Sequence, residues 1–128
     1  YLLDPNDFVA KLYSEGLERM AASDATLTQL TVKRFKTPDE LHQALSERRC
    51  DVLIIELKSK ELDGVSVIEE VHERFHGELP VFATSKPFEG DRELALHAGA
   101  SAFLNKPLQM RTLFNTLLVC LGLERADS

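Results

Sequence analysis

Three short runs of almost unbroken apolar residues, each closed by a polar group, constrain this chain more than any other feature. They are Asp51-Val52-Leu53-Ile54-Ile55-Glu56-Leu57, then Leu79-Pro80-Val81-Phe82-Ala83-Thr84, then Ala102-Phe103-Leu104-Asn105 ahead of Lys106-Pro107. A strand wet on one face alternates apolar and polar residues. A strand that is apolar throughout is covered on both faces, as in a parallel sheet. Around these runs the apolar spacing changes to the period of a helix. A chain that alternates the two periods has few folds open to it.

Strand-like segments fall at residues 1–3, 30–36, 51–57, 81–84 and 102–104. Helical patterns follow each. Residues 7–22 bring Phe8, Leu12, Leu17 and Met20 toward one face, entered through Pro5-Asn6-Asp7. Residues 38–48 have Thr37 to cap them, Pro38 in first position, and Leu41, Ala44 and Leu45 turned inward. Residues 65–75 carry Val65, Ile68, Val71 and Phe75. Residues 88–98 carry Leu94, Leu96 and Ala98 and stop at Gly99. Residues 108–121 carry Met110, Leu113, Phe114, Leu117, Leu118 and Leu121. They are apolar nearly all round at their end, so Phe114, Leu118 and Leu121 are candidates to meet a partner. Residues 21–27 read as a longer loop and 124–128 as a frayed tail or the start of a linker.

This is βα five times over. Right-handed crossovers then build a doubly wound, three-layer α/β domain across residues 1–123. Such a fold gathers ligands at the carboxyl ends of its strands. Asp4, Glu56, Thr84 and Lys106 all stand at those ends. An acid, a hydroxyl and a lysine on three strand ends is the layout of a site for a phosphoryl group.

Composition narrows the rest. The 128 residues are 44% apolar and 28% charged, as in ordinary globular proteins. The net charge of −6 argues against unaided binding to nucleic acid. Lys33-Arg34-Phe35-Lys36 reads as the solvated face of a strand. No apolar run approaches the ~18 residues of a membrane span. Cys50 and Cys120 form no CxxC and are read as buried and inert, which suits a reducing cytoplasm. His72 and His76 have an i, i+4 zinc-ligand spacing but no third ligand, and are read as a solvated helix face. Tyr1 with no Met before it reads as the start of an excised fragment.

Glu56 precedes Asp63-Gly64 so that the glycine lies eight residues on, and Thr84 precedes Lys106-Pro107 by twenty-two. With Ala98-Gly99-Ala100 before the last strand, these spacings make the whole chain resemble the receiver domains of bacterial response regulators. The resemblance implies a flavodoxin-like (βα)5 fold with a five-stranded parallel sheet of order 2-1-3-4-5. It implies that Glu56 stands where the family has the aspartate that accepts a phosphoryl group. It makes Thr84 and Phe103 the switch pair, Lys106 the phosphate contact, and Lys106-Pro107 a cis peptide. The family also has an acidic pair after its first strand. Aligning Phe8 with the first helix makes Asp4 the second acid and Leu3 the missing first. Asp4, Glu56 and the carbonyl of Lys58 then leave only a weak Mg²⁺ site, with the Lys58 charge close by. No other cofactor is expected.

The expectation is thus an atypical, non-enzymatic receiver of a phosphorelay. It would not be phosphorylated normally at Glu56 and would act by protein contact. The face of helix four, strand five and helix five would meet a signalling protein or a fused output domain through Glu89, Asp91, Arg92, Ser101 and Phe103. A homodimer through that face is the alternative, although Ser101-Ala102 lacks the acids of many dimerising regulators. Direct nucleic-acid and membrane contacts are not expected. Three other readings stay open: a receiver still responsive to phosphorylation or Mg²⁺, a small flavodoxin-like nucleotide or flavin binder, and a structural dimerisation domain.

Overall fold

The computed structural model describes residues 1–24, 29–59, 62–85 and 90–123, with Lys58, Ser59 and Leu62 described in their backbone only. Parallel pairing of the apolar runs organises everything else. The elements are β1 (Leu2–Leu3), α1 (Asp7–Ala22), β2 (Arg34–Phe35), α2 (Pro38–Glu47), β3 (Leu53–Glu56), β4 (Lys58–Ser59), β5 (Leu62–Asp63), α3 (Gly64–Arg74), β6 (Val81–Ser85), α4 (Asp91–Ala98), β7 (Ala102–Asn105) and α5 (Met110–Cys120). The sheet runs β2-β1-β3-β6-β7 and is parallel throughout. Counting its strands alone, that is the expected order 2-1-3-4-5. β4 and β5 form a small antiparallel hairpin that carries the chain from β3 into α3.

Successive strand residues face opposite sides of a sheet. Leu3, Ile55 and Ala83 join one core with Leu41, Ile68, Val71 and Phe103, while Leu2, Ile54 and Phe82 join another with Tyr13, Leu17, Leu113, Phe114 and Leu117. Both sides are dry, which is why the strands read as unbroken apolar runs. Each such side chain buried contributes roughly 1.5–3 kcal/mol. The register sets Leu3 opposite Ile55 and Glu56 opposite Thr84. A one-residue slip would turn Glu56 into a core, so burial on both faces fixes the site as well as the fold.

Several details depart from the sequence reading. α1 turns Ala10, Tyr13, Leu17 and Ala21 inward and leaves Phe8 76% and Leu12 52% exposed. The small residues on its inner side explain the rotation: a Cβ on Gly16 would strike the Met110 side chain, so the helix lies close against α5. Phe114 and Leu118 are core residues, not partner contacts; only Val119 of that stretch is strongly exposed. Leu94 and Leu96 of α4 are exposed as well. β2 is confined to two residues. His76 lies beyond the end of α3 at φ 54, so it does not share a helix face with His72. Among the described residues no cluster of metal-ligating side chains forms, and no helix is long and apolar enough to cross a membrane. Residues 25–27 of the expected loop, 88–89 of the fourth helical pattern, and the tail 124–128 lie outside the described residues.

Candidate functional site

The turn from β1 into α1 presents the first carboxylate. Asp4 is only 2% exposed. Its Oδ1 accepts the Asn6 backbone N–H at 2.9 Å, and the Asn6 side chain accepts the Val9 N–H at 3.0 Å, capping α1. Arg34, one strand away, donates from Nε and Nη2 to the Asp4 carbonyl oxygen at 2.9 and 2.8 Å. Its third nitrogen pairs with Asp7 at 2.8 Å. These cations hold the Asp7 carboxyl below its ordinary range, chiefly through the Arg34 hydrogen bond, with Lys36 also close. Arg34 is therefore a clamp on the acidic turn rather than part of a solvated face.

β3 and β6 end side by side and supply the next two groups. The Thr84 hydroxyl donates to Glu56 Oε2 at 3.3 Å, and both residues are buried. Leu57 N–H continues the pairing onto the Thr84 carbonyl at 2.8 Å. From the end of β7, Lys106 reaches across the sheet. Its ammonium bonds the same Oε2 of Glu56 and lies 3.2 Å from Asp4 Oδ2. The Tyr13 ring lies below, its centroid 5.6 Å from Lys106 Nζ, a cation–π distance. One cation thus joins two buried carboxylates that would otherwise repel.

Burial pushes the Glu56 carboxyl above its usual range, and the nearby Asp4 charge adds to this. The bond and charge of Lys106 and the Thr84 hydroxyl work the other way without cancelling it. For Lys106, burial disfavours the ammonium, but the bond and charge from Glu56, then the charge and bond from Asp4, outweigh it and raise its pKa. The ammonium is the firmly held charge of the group.

A divalent cation does not fit these residues as they stand. Mg²⁺ wants several oxygen ligands in an octahedron. Here the Lys106 ammonium already holds both available carboxylates. β1 ends at Leu3, whose side chain lies in the core, so the two positions that follow the strand are Asp4 and Pro5. If an acidic pair is to follow the first strand, the position without an acid is then Pro5, because Leu3 is a strand residue in the core. Behind the site Asp63 caps α3, and Gly64 packs on the chain end of β3. A Cβ there would lie 2.6 Å from the carbonyl oxygens of Glu56 and Leu57, so only glycine fits.

The remaining expected residues sit around this centre. The Lys106-Pro107 peptide is cis. Phe103 is buried beside Ala83 and Ala95 in the core, and Asp91 is fully buried, so neither lies on the outer face proposed for them; Arg92 and Ser101 are exposed there. Glu89 lies outside the described residues. Sequence reasoning missed Arg34, whose partner is a main-chain carbonyl, and Tyr13, which reads as an ordinary helix residue. It also missed Ser85, whose hydroxyl meets Asp91.

The family model of the response regulator receiver domain matches residues 7–118. The signal transduction histidine-protein kinase BarA of Escherichia coli K12 is 30% identical over 92 residues, covering 68% of this chain and 10% of that protein. The chain thus spans about a tenth of the curated relatives it matches. Among solved structures, NtrX from Brucella abortus in complex with ADP superposes with a TM-score of 0.80 at 18% identity, over 94% of this chain and 25% of that one. HP1043, an orphan response regulator of H. pylori, gives 0.75 at 17% identity, over 94% and 93%. A CheY-like receiver domain protein from Methanospirillum hungatei gives 0.79 at 17%, over 94% and 90%.

Proposed function

This chain belongs to the response regulator receiver domain family, and from that premise we propose that it is a pseudo-receiver, a domain that keeps the receiver frame without phosphoaspartate chemistry. Receivers are signalling modules of two-component phosphorelays. This one would act without enzymatic activity of its own, by contact with a signalling protein or a fused output domain.

The observation that carries the reading is the Lys106 ammonium held between Glu56 and Asp4, with Thr84 on the same Glu56 oxygen. Glu56 occupies the acceptor position of the family pattern. Its carboxylate lies one bond, roughly 1.5 Å, further from the backbone than an aspartate's would. Phosphoryl transfer depends on positioning, and a 1 Å error can cost about 10²-fold. Glu56 also engages the two groups, Thr84 and Lys106, that the family pattern assigns to the phosphoryl oxygens. The site is thereby held in one state by its own side chains. The lack of an acid at Pro5 further weakens any Mg²⁺-assisted transfer. The nucleotide- or flavin-binder reading draws no support from a strand-end edge built of paired charges.

The contact surface is the side of α4, β7 and α5, where Arg92, Leu94, Ser101 and Val119 are exposed. With a net charge of −6 the domain is suited to protein partners in the cytoplasm rather than to nucleic acid.

Incubation with acetyl phosphate and Mg²⁺, followed by intact-mass measurement, tests the proposal. The native chain should show no added phosphoryl group. The P5D/E56D double variant, which restores an acidic pair and an acceptor of ordinary length, should gain one. Stoichiometric labelling of the native chain at Glu56 would refute the proposal.

A further inference from the structure

The end of the sheet opposite Lys106 is not closed. β3 begins there at Leu53 and runs to Glu56 at the other end. β2 pairs with β1 only at Arg34 and Phe35, so strand pairing does not close the space between residues 29–33 and the start of β3. Glu18 of α1 accepts the Val32 backbone N–H at 2.9 Å and anchors those residues. A cavity of about 680 Å³ lies in this space. That is within the size range of pockets that hold small ligands.

The lining has an apolar part and a charged part. Leu17, Val52, Ile54 and Leu117 are buried and form the floor. Leu30, Val32, Leu121 and Leu123 pack against the same core yet stay only half-buried around the opening. At the rim Lys33, Arg48 and Arg49 are exposed, and Asp51 is the one acid of the lining. Arg49 is shared with Glu78 at 3.8 Å and lies over the Phe75 ring. Among the described residues, Lys33 and Arg48 have no ion-pair partner. In a chain of net charge −6, two such cations beside an apolar hollow favour an anion with an aliphatic body.

We propose that this cavity binds an aliphatic carboxylate of medium chain length. The hydrocarbon lies among Val32, Val52, Leu117 and Leu121, and the carboxylate meets Lys33 and Arg48 at the mouth. Burial of the hydrocarbon supplies most of the affinity, and the cations select the charge of the head. The inference does not rest on the pseudo-receiver reading, since it uses only residues away from the Glu56–Lys106 end of the strands. It gives the domain a small-molecule input independent of phosphoryl transfer.

Decanoate is the probe, titrated into the chain at neutral pH and followed by amide NMR and calorimetry. Saturable shifts are expected at Leu30, Val32, Val52 and Leu121, with a Kd on the order of 0.1 mM. The K33Q/R48Q variant, changed only at exposed positions, should weaken decanoate binding about tenfold. V32F, which fills the cavity from its wall, should weaken it at least about tenfold. Decanol, which has the same hydrocarbon and no charge, should bind the native and K33Q/R48Q chains equally. Shifts that do not saturate, or that centre on the exposed Phe8 and Leu12 instead, would overturn the proposal. So would equal decanoate affinity in the native chain and in either variant. Shifts with phosphatidylglycerol vesicles and none with decanoate would overturn it as well, and would assign the opening to a membrane surface.

Discussion

At the scale of single residues, the account turns on Lys106. A buried ion group is a poor source of stability as a whole, but removing one member strands the rest. The side chains of Lys106, Glu56 and Asp4 are 15%, 7% and 3% exposed, so solvent screens them little. K106M should therefore destabilise the fold by about 3–5 kcal/mol in urea denaturation at neutral pH. E56Q leaves Lys106 with Asp4 and should cost less than about 1 kcal/mol. The reverse order would contradict the charge assignment. The pH dependence follows from the two raised pKa values. Lys106 contributes stability that is whole below the ordinary lysine value and lost as pH climbs through the raised one. For Glu56, stability is full below the ordinary glutamate value and falls as pH rises through the raised one. E56Q should flatten the stability curve in that acidic window, and K106M should flatten it in the alkaline one.

At the scale of elements, the β1–α1 turn is held from β2 by Arg34. Two charge-assisted bonds to the Asp4 carbonyl make this clamp matter more than the exposed Asp7 pair. R34M should cost about 2 kcal/mol and broaden the Asp4 and Asn6 amide signals, whereas D7A should leave thermal stability nearly unchanged. Equal losses would mean the ion pair, not the carbonyl bonds, holds the turn. The helices and strands themselves were largely legible: Thr37 caps α2 with Glu40 completing the box, as its residue types suggest, and Gly99 ends α4. Rotation about an element's own axis was not. The apolar residues Phe8 and Leu12 suggested the inner face of α1, but Gly16 and the alanines decided it by allowing close contact with α5. Similarly, α5 read as apolar all round because two of its faces are covered, by the sheet and by α1. Arg34 was illegible because a main-chain acceptor leaves no residue type to recognise.

At the scale of the whole molecule, the doubly wound fold and the gathering of Asp4, Glu56, Thr84 and Lys106 followed from alternation of periods and from strand-end polarity, while the strand order followed from the family resemblance. Parallel strands with dry faces allow one register, and that register delivers the four groups to one edge. The meeting of Lys106 with Glu56 could be expected, because a lysine at a strand end can reach back to a partly buried carboxylate; what could not be read was that Asp4 shares the same ammonium, since spacing places residues without saying how many charges meet. On the pseudo-receiver proposal, this pairing is what would separate the site from one that accepts a phosphoryl group. Amide NMR of the domain, titrated with Mg²⁺ and then with beryllofluoride as a phosphoryl mimic, examines that difference directly. The account predicts no saturable shifts at Asp4, Glu56, Thr84 or Lys106, because the ammonium already fills the centre. Saturable shifts at those residues that spread to Phe103 and α5 would contradict it and mean that the switch still works.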